Sequence, residues 1–160
     1  MTETELLVDA LAAASLTFAC AESCTGGAIA SRIVGVPGAS RVFKGGVVAY
    51  DPAVKISLLG VSPDSIERFG VVSSEVAAEM AEGVRRAVGC DLAVSTTGVA
   101  GPLGGTPETP VGCVYIGLSG RLGTRTFRES LSGDRDGIRR AAVDAAISHL
   151  LQYLRDDQAL

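Results

Sequence analysis

The segment from Ser95 to Pro110 constrains this 160-residue chain most strongly, because it sets four glycines and three prolines between two apolar runs. Glycine loses too much backbone entropy, and proline lacks the amide donor, for either to populate a helix interior or a central strand. The segment is therefore an irregular connection, and a loop of this length inside a compact domain is uncommon without a task. Gly98, Gly101, Gly104 and Gly105 leave amides bare enough to approach a phosphate, a carboxylate or a developing oxyanion, while Thr96, Thr97 and Thr106 add hydroxyls. A purely structural loop stiffened by proline would have the same composition.

Around this loop the hydrophobic pattern alternates between helical and strand periods. Helical spacing runs through residues 4–14, then a buried strand through 16–21, then a polar turn at 22–27 before helical spacing resumes at Ala28, Ile29, Ile33 and Val34. A second strand is predicted over Gly45–Tyr50, followed by a short helix from Pro52 to Leu59, since proline suits a first helical position. A short helix at 64–69 and a stronger one at 73–88 precede a strand at 91–97. Residues 111–118 and 124–131 read as an antiparallel hairpin across 119–123, and a long helix starts near Asp134. One α/β domain spanning residues 1–160 is expected. A content of 47% hydrophobic but only 4% aromatic residues, with 20 glycines, fits small side chains packed in layers.

A net charge of −4 with scattered Lys and Arg argues against nucleic-acid binding through phosphate contacts. No apolar run approaches the roughly 18 residues of a membrane span, and the acidic start Met1-Thr2-Glu3-Thr4-Glu5 is unlike a secretory signal. A cytoplasmic protein with no membrane partner is expected. Cys20, Cys24, Cys90 and Cys113 lack paired metal-ligand spacing, which predicts reduced, buried thiols and no metal.

Ser23, Cys24 and Thr25 offer three candidate nucleophiles at a strand-to-helix turn, where free amides favour negative charge; an inert polar cap is the competing reading. His149, the only histidine, lies among leucines of the last helix and reads as structural, so the base must be another residue. Lys55 is a candidate, because desolvation can bring a lysine pKa toward neutrality; Lys44 competes.

Ala21-Glu22-Ser23-Cys24-Thr25-Gly26-Gly27, then Tyr50 with Lys55, then Thr97 through Glu108, and finally Ser132-Gly133-Asp134-Arg135 resemble, in that order, the CinA C-terminal domain family over almost the whole chain. The resemblance implies a three-layer α/β/α sandwich with a mixed central sheet. Stand-alone members of that family are nicotinamide-nucleotide amidases, which hydrolyse the carboxamide of nicotinamide mononucleotide (NMN) to nicotinic acid mononucleotide and ammonia without a cofactor. The resemblance makes Ser23 the nucleophile, Lys55 the general base and Tyr50 the residue that orients the dyad or substrate. It puts substrate contacts at Glu22, Cys24, Thr25, Gly26 and Gly27, and at Thr97, Gly98, Gly101, Gly104, Gly105 and Thr106 of the loop, with the loop on the ribose phosphate. Relatives suggest a homo-oligomer. Thr109 and Cys113 depart from the family's lysine and threonine, which bears on substrate preference. The length leaves no room for the N-terminal domain of larger relatives, so neither pyrophosphatase activity nor a metal requirement is expected. A catalytically silent nucleotide-binding or competence-associated protein of the same fold is the alternative.

Overall fold

The computed structural model describes residues 1–158, which form a mixed sheet of five strands covered on both faces by six α-helices. In chain order these are α1 (Glu3–Ala13), β1 (Phe18–Glu22), α2 (Ala28–Val34), β2 (Phe43–Val48), α3 (Pro52–Leu59), α4 (Pro63–Phe69), α5 (Ser74–Val88), β3 (Leu92–Gly98), β4 (Cys113–Gly120), β5 (Gly123–Ser130) and α6 (Arg135–Asp156), with a 3-10 turn at Ala39–Arg41. The strand order is β2-β1-β3-β4-β5; β2, β1 and β3 run parallel, and β4 and β5 complete the sheet as an antiparallel hairpin. The three-layer sandwich with a mixed sheet is thus the observed architecture.

Strand alternation explains the two unequal faces. Phe18, Cys20, Leu92, Val94, Val114, Ile116 and Leu118 point one way, into a core completed by α1, α2 and α6. Ala19, Ala21 and Ala93 point the other way, toward α3 and α5. Small side chains there let α5 lie almost on the sheet: Ser95 Oγ donates to the Ala77 carbonyl at 2.5 Å, and a Cβ on Gly117 would fall 2.3 Å from that same oxygen.

Several boundaries differ from the sequence expectation. β1 and β2 each sit about two residues later or earlier than the apolar runs suggest, because Phe18 pairs with Phe43 at the start of the ladder while Ala49 and Tyr50 leave it to direct their carbonyls at Lys55. The hairpin turn contracts to Arg121 and Leu122, since Gly120 pairs with Gly123. β4 begins at Cys113 rather than residue 111, because Gly112 N–H donates to Val99 O and thereby closes the long loop.

β1 connects to β2 through α2 on one face, and β2 connects to β3 through α3, α4 and α5 on the other. The crevice beyond the carboxyl ends of β1 and β3 is therefore a topological switch point, where open α/β sheets bind ligands.

Candidate active site

Three segments meet at that switch point. The β1 strand runs into a turn at residues 23–27, held to β3 by Ser23 N–H donating to Thr96 O at 3.0 Å. Gly26, at φ +60°, makes the reversal into α2 that a Cβ would strain. Ser23 continues the outward alternation of Ala19 and Ala21, toward α3. There the Asp51 carboxylate caps α3 by accepting from Ala53 N–H, and Lys55 lies one turn into the helix with its stem enclosed.

The Lys55 Nζ is 3.0 Å from Ser23 Oγ, 2.6 Å from the Ala49 carbonyl and 3.3 Å from the Tyr50 carbonyl. Lys55 is only 2% exposed and makes no ion pair among the described residues. Burial holds its pKa below the ordinary lysine value, with Cys24 and Asp51 opposing the shift. Nζ donates to all three oxygens as an ammonium; on losing one proton it keeps two N–H groups for the carbonyls and turns a lone pair to the serine hydroxyl. Cys24 is also in the cleft, but burial pushes its thiol up to about 11, and Lys55 bonds to the serine oxygen. Lys44, the competing base, is an exposed residue of the edge strand β2.

The cleft above this pair has a volume of about 260 Å³, and among the described residues it is lined by the Lys55 and Arg135 side chains with no carboxylate. Its floor is Ser23, Cys24, Thr97 and Gly98; Val71, Val72 and Leu103 form apolar walls, and Gly101 and Gly104 face in from the long loop. Tyr50 stands at the mouth, where Arg135 bridges its hydroxyl at 3.2 Å to the Gly101 carbonyl at 2.7 Å. A larger depression of about 510 Å³ lies at the opposite end of the sheet, near Glu82, Arg85, Arg86 and Cys90, away from the Ser23–Lys55 pair.

The structure therefore gathers Ser23, Cys24, Tyr50, Lys55, Thr97, Gly98, Gly101 and Gly104 around one cleft, and places the other expected contacts outside its lining. Glu22 is buried behind the turn. Its Oε1 accepts from Thr25 Oγ1 at 2.6 Å and Ile29 N–H at 2.8 Å, and its Oε2 accepts from Ala30 N–H at 3.1 Å. Since Thr25 donates to Glu22, the 2.7 Å contact between Thr25 and Thr96 hydroxyls has Thr96 as donor. Thr25 is thus enclosed, and Gly26 and Gly27 form the turn beneath it. Thr106 closes the far end of the loop on itself by bonding Thr109, and Gly105 packs on Val111. Gly98, read as a bare amide, is also glycine for packing: a Cβ would lie 2.6 Å from Val114 Cγ2.

Two residues absent from the expected site belong to it. Arg135 spans the mouth, and Arg139, one turn later on α6, donates from Nε to the Cys24 carbonyl at 3.1 Å and from Nη2 to the Thr25 carbonyl at 2.9 Å. Their sequence signal was their position: arginines in the opening turns of a helix oppose its dipole, so a helix that carries them there has another use for them. The four cysteines are buried and unpaired, and His149 ties α6 to β5 through Glu129 at 2.5 Å. No helix among the described residues is long and apolar enough to cross a membrane.

The family model of the CinA C-terminal domain matches residues 2–154. A CinA-like protein of Dictyoglomus thermophilum is 55% identical over 94% of this chain and 36% of its own length. One of Kosmotoga olearia is 45% identical over 94% of this chain and 36% of its own. The chain thus spans about a third of these curated relatives. Among solved structures, a competence-damaged protein (CinA) superfamily protein of Escherichia coli has a TM-score of 0.92 at 35% identity, covering 95% of this chain and 88% of that one. The competence/damage inducible protein CihA of Agrobacterium tumefaciens has a TM-score of 0.88 at 34% identity, covering 95% and 96%.

Proposed function

This chain belongs to the CinA C-terminal domain family, and from that premise we propose that it hydrolyses the carboxamide of NMN to nicotinic acid mononucleotide and ammonia. The observation that carries this reading is the buried lysine amine 3.0 Å from a serine oxygen at the carboxyl edge of the sheet. A module that only bound nucleotide would have no use for a desolvated base beside a hydroxyl.

Neutral Lys55 accepts the Ser23 proton as Oγ attacks the carboxamide carbon, and the carbonyl π electrons move onto oxygen. The N–H group of Cys24, a residue of the cleft lining, follows the nucleophile directly and has no acceptor among the described residues, so it is free to receive that oxyanion. Lys55 then returns the proton to the leaving nitrogen, the C–N bond breaks and ammonia departs. Lys55 then takes a proton from water as its oxygen attacks the Ser23 ester, and returns that proton to Ser23 Oγ as the C–O bond breaks, which frees the acid product to ionise in solvent. Arg135 and the Thr97–Gly104 side of the cleft supply the cation and donors for the nucleotide phosphate.

Ammonia release and nicotinic acid mononucleotide formation should be followed with NMN, nicotinamide riboside and nicotinamide in parallel. NMN is expected to turn over, with the riboside much weaker for want of a phosphate. Tight NMN binding without any turnover would overturn the amidase reading and favour the accessory-protein one.

A further inference from the structure

The turn that carries Ser23 is gripped from behind by a residue that never reaches the cleft. Arg139 lies on the α6 side of the sheet, opposite the face on which Ser23 meets Lys55, and its guanidinium donates to two consecutive carbonyls, Cys24 O and Thr25 O. A trans peptide is planar, with its N–H antiparallel to its C=O. Holding the Cys24 carbonyl toward Arg139 therefore fixes the plane of the Cys24–Thr25 peptide, one residue past the nucleophile. The Thr25 carbonyl, held by the same guanidinium, fixes the next peptide as well, so the turn after Ser23 is clamped at two consecutive units. Arg139 is itself steadied by Asp136 at 3.7 Å, and a Cβ added to Gly26 would lie 3.5 Å from its Nη2.

We infer that Arg139 is a positioning residue for the nucleophile: its bidentate hold on the Cys24 and Thr25 carbonyls fixes the turn that carries Ser23 and so sets where the serine stands against Lys55. This rests on the amidase reading for its substrate, but the geometry applies to any acyl transfer at Ser23. Arg139 makes no contact with the nucleotide cleft, so its loss should act on the chemical step and leave substrate binding in place. A lysine could satisfy one carbonyl but lacks the planar fork that engages both.

The test compares wild type, Arg139→Lys and Arg139→Ala in NMN turnover, with and without tens of millimolar guanidinium. A misplacement of about 1 Å in a reacting group can cost about 10²-fold in rate, so Arg139→Ala should lose roughly that much kcat with KM changed less than about threefold, and Arg139→Lys should fall between. A notch of about 150 Å³ beside Arg139, lined by Ala28, Arg32, Asp136 and Val143, leaves guanidinium a path to the vacated position, so partial rescue of the alanine variant is expected. Rescue separates positioning from a misfolded turn. An unchanged kcat, a loss confined to KM, or a loss that guanidinium leaves untouched would overturn the inference. Should wild type release no ammonia from NMN, the amidase reading fails on its own; the Arg139 inference is then read from the rate at which a fluorophosphonate labels Ser23. That rate should drop at least about tenfold in Arg139→Ala, and equal labelling would overturn the inference.

Discussion

Replacing Glu22 by glutamine separates a scaffold residue from a substrate contact. Its carboxylate accepts from Thr25 Oγ1, Ile29 N–H and Ala30 N–H at 2.6, 2.8 and 3.1 Å, with the Cys20 thiol 3.6 Å away. Both oxygens therefore face donors. An amide has one acceptor oxygen, and its NH2 group would confront either the Ala30 N–H or the Thr25 and Ile29 pair, donor against donor. A hydrogen bond to a charged group contributes about 1.5–3 kcal/mol, and a buried donor left unsatisfied costs about 1–3 kcal/mol. Taking about 3 kcal/mol as the net loss, and about 2–4 °C per kcal/mol for a domain near this size, the Tm of Glu22→Gln should fall by roughly 6–12 °C. Calorimetry or a circular dichroism melt reads the shift, and steady-state kinetics below the transition reads the rest. KM for NMN should stay within about threefold of wild type, since Glu22 does not line the cleft. An unchanged Tm together with a large rise in KM would refute this reasoning and return Glu22 to the substrate.

Because burial lowers the Lys55 pKa, its working neutral form grows as pH rises through a midpoint below the usual 10.5, so kcat/KM for NMN should climb with pH across that midpoint and fall on acidification. Lys55→Arg, which stays cationic at every accessible pH, should be inactive throughout the profile. Cys24, with its thiol pushed up to about 11 by burial, should react slowly with iodoacetamide at neutral pH, and Cys24→Ala should keep turnover within about threefold in kinetic assays. Gly117→Val would drive side-chain atoms into the Ala77 carbonyl; overpacking typically costs about 1–3 kcal/mol, and this backbone clash should reach or exceed the upper end, measurable as a Tm drop of at least about 6 °C.

The fold was legible where local chemistry decides it. Asp51-Pro52 marks the start of α3, Ser73 caps α5 and Asp134 caps α6, each through a side-chain oxygen on a backbone amide within the next three residues. Boundaries slipped where tertiary bonds override local pattern, as at Ala49 and Tyr50, whose carbonyls are drawn off the ladder by a lysine five or six positions away. In the site, Ser23 and Lys55 could be matched to a family pattern, but their 32-residue separation hides the 3.0 Å contact from any local rule. Glu22 entered the expected substrate set through the family motif it shares with the nucleophile, whereas strand alternation turns it to the opposite face. The glycines of the long loop were read as bare amides, yet packing on Val111 and Val114 already requires several of them. Arg139, 115 residues from Cys24, reaches the turn only once α6 packs across the sheet.

The central claim is that Ser23, activated by Lys55, forms a covalent acyl intermediate. Rapid acid quenching of the enzyme turning over NMN, followed by intact-mass measurement and peptide mapping, tests it directly. The expected result is an adduct equal in mass to NMN less ammonia, located on Ser23 and absent from Ser23→Ala. Turnover with the adduct on Cys24, or undiminished turnover by Ser23→Ala, would contradict it.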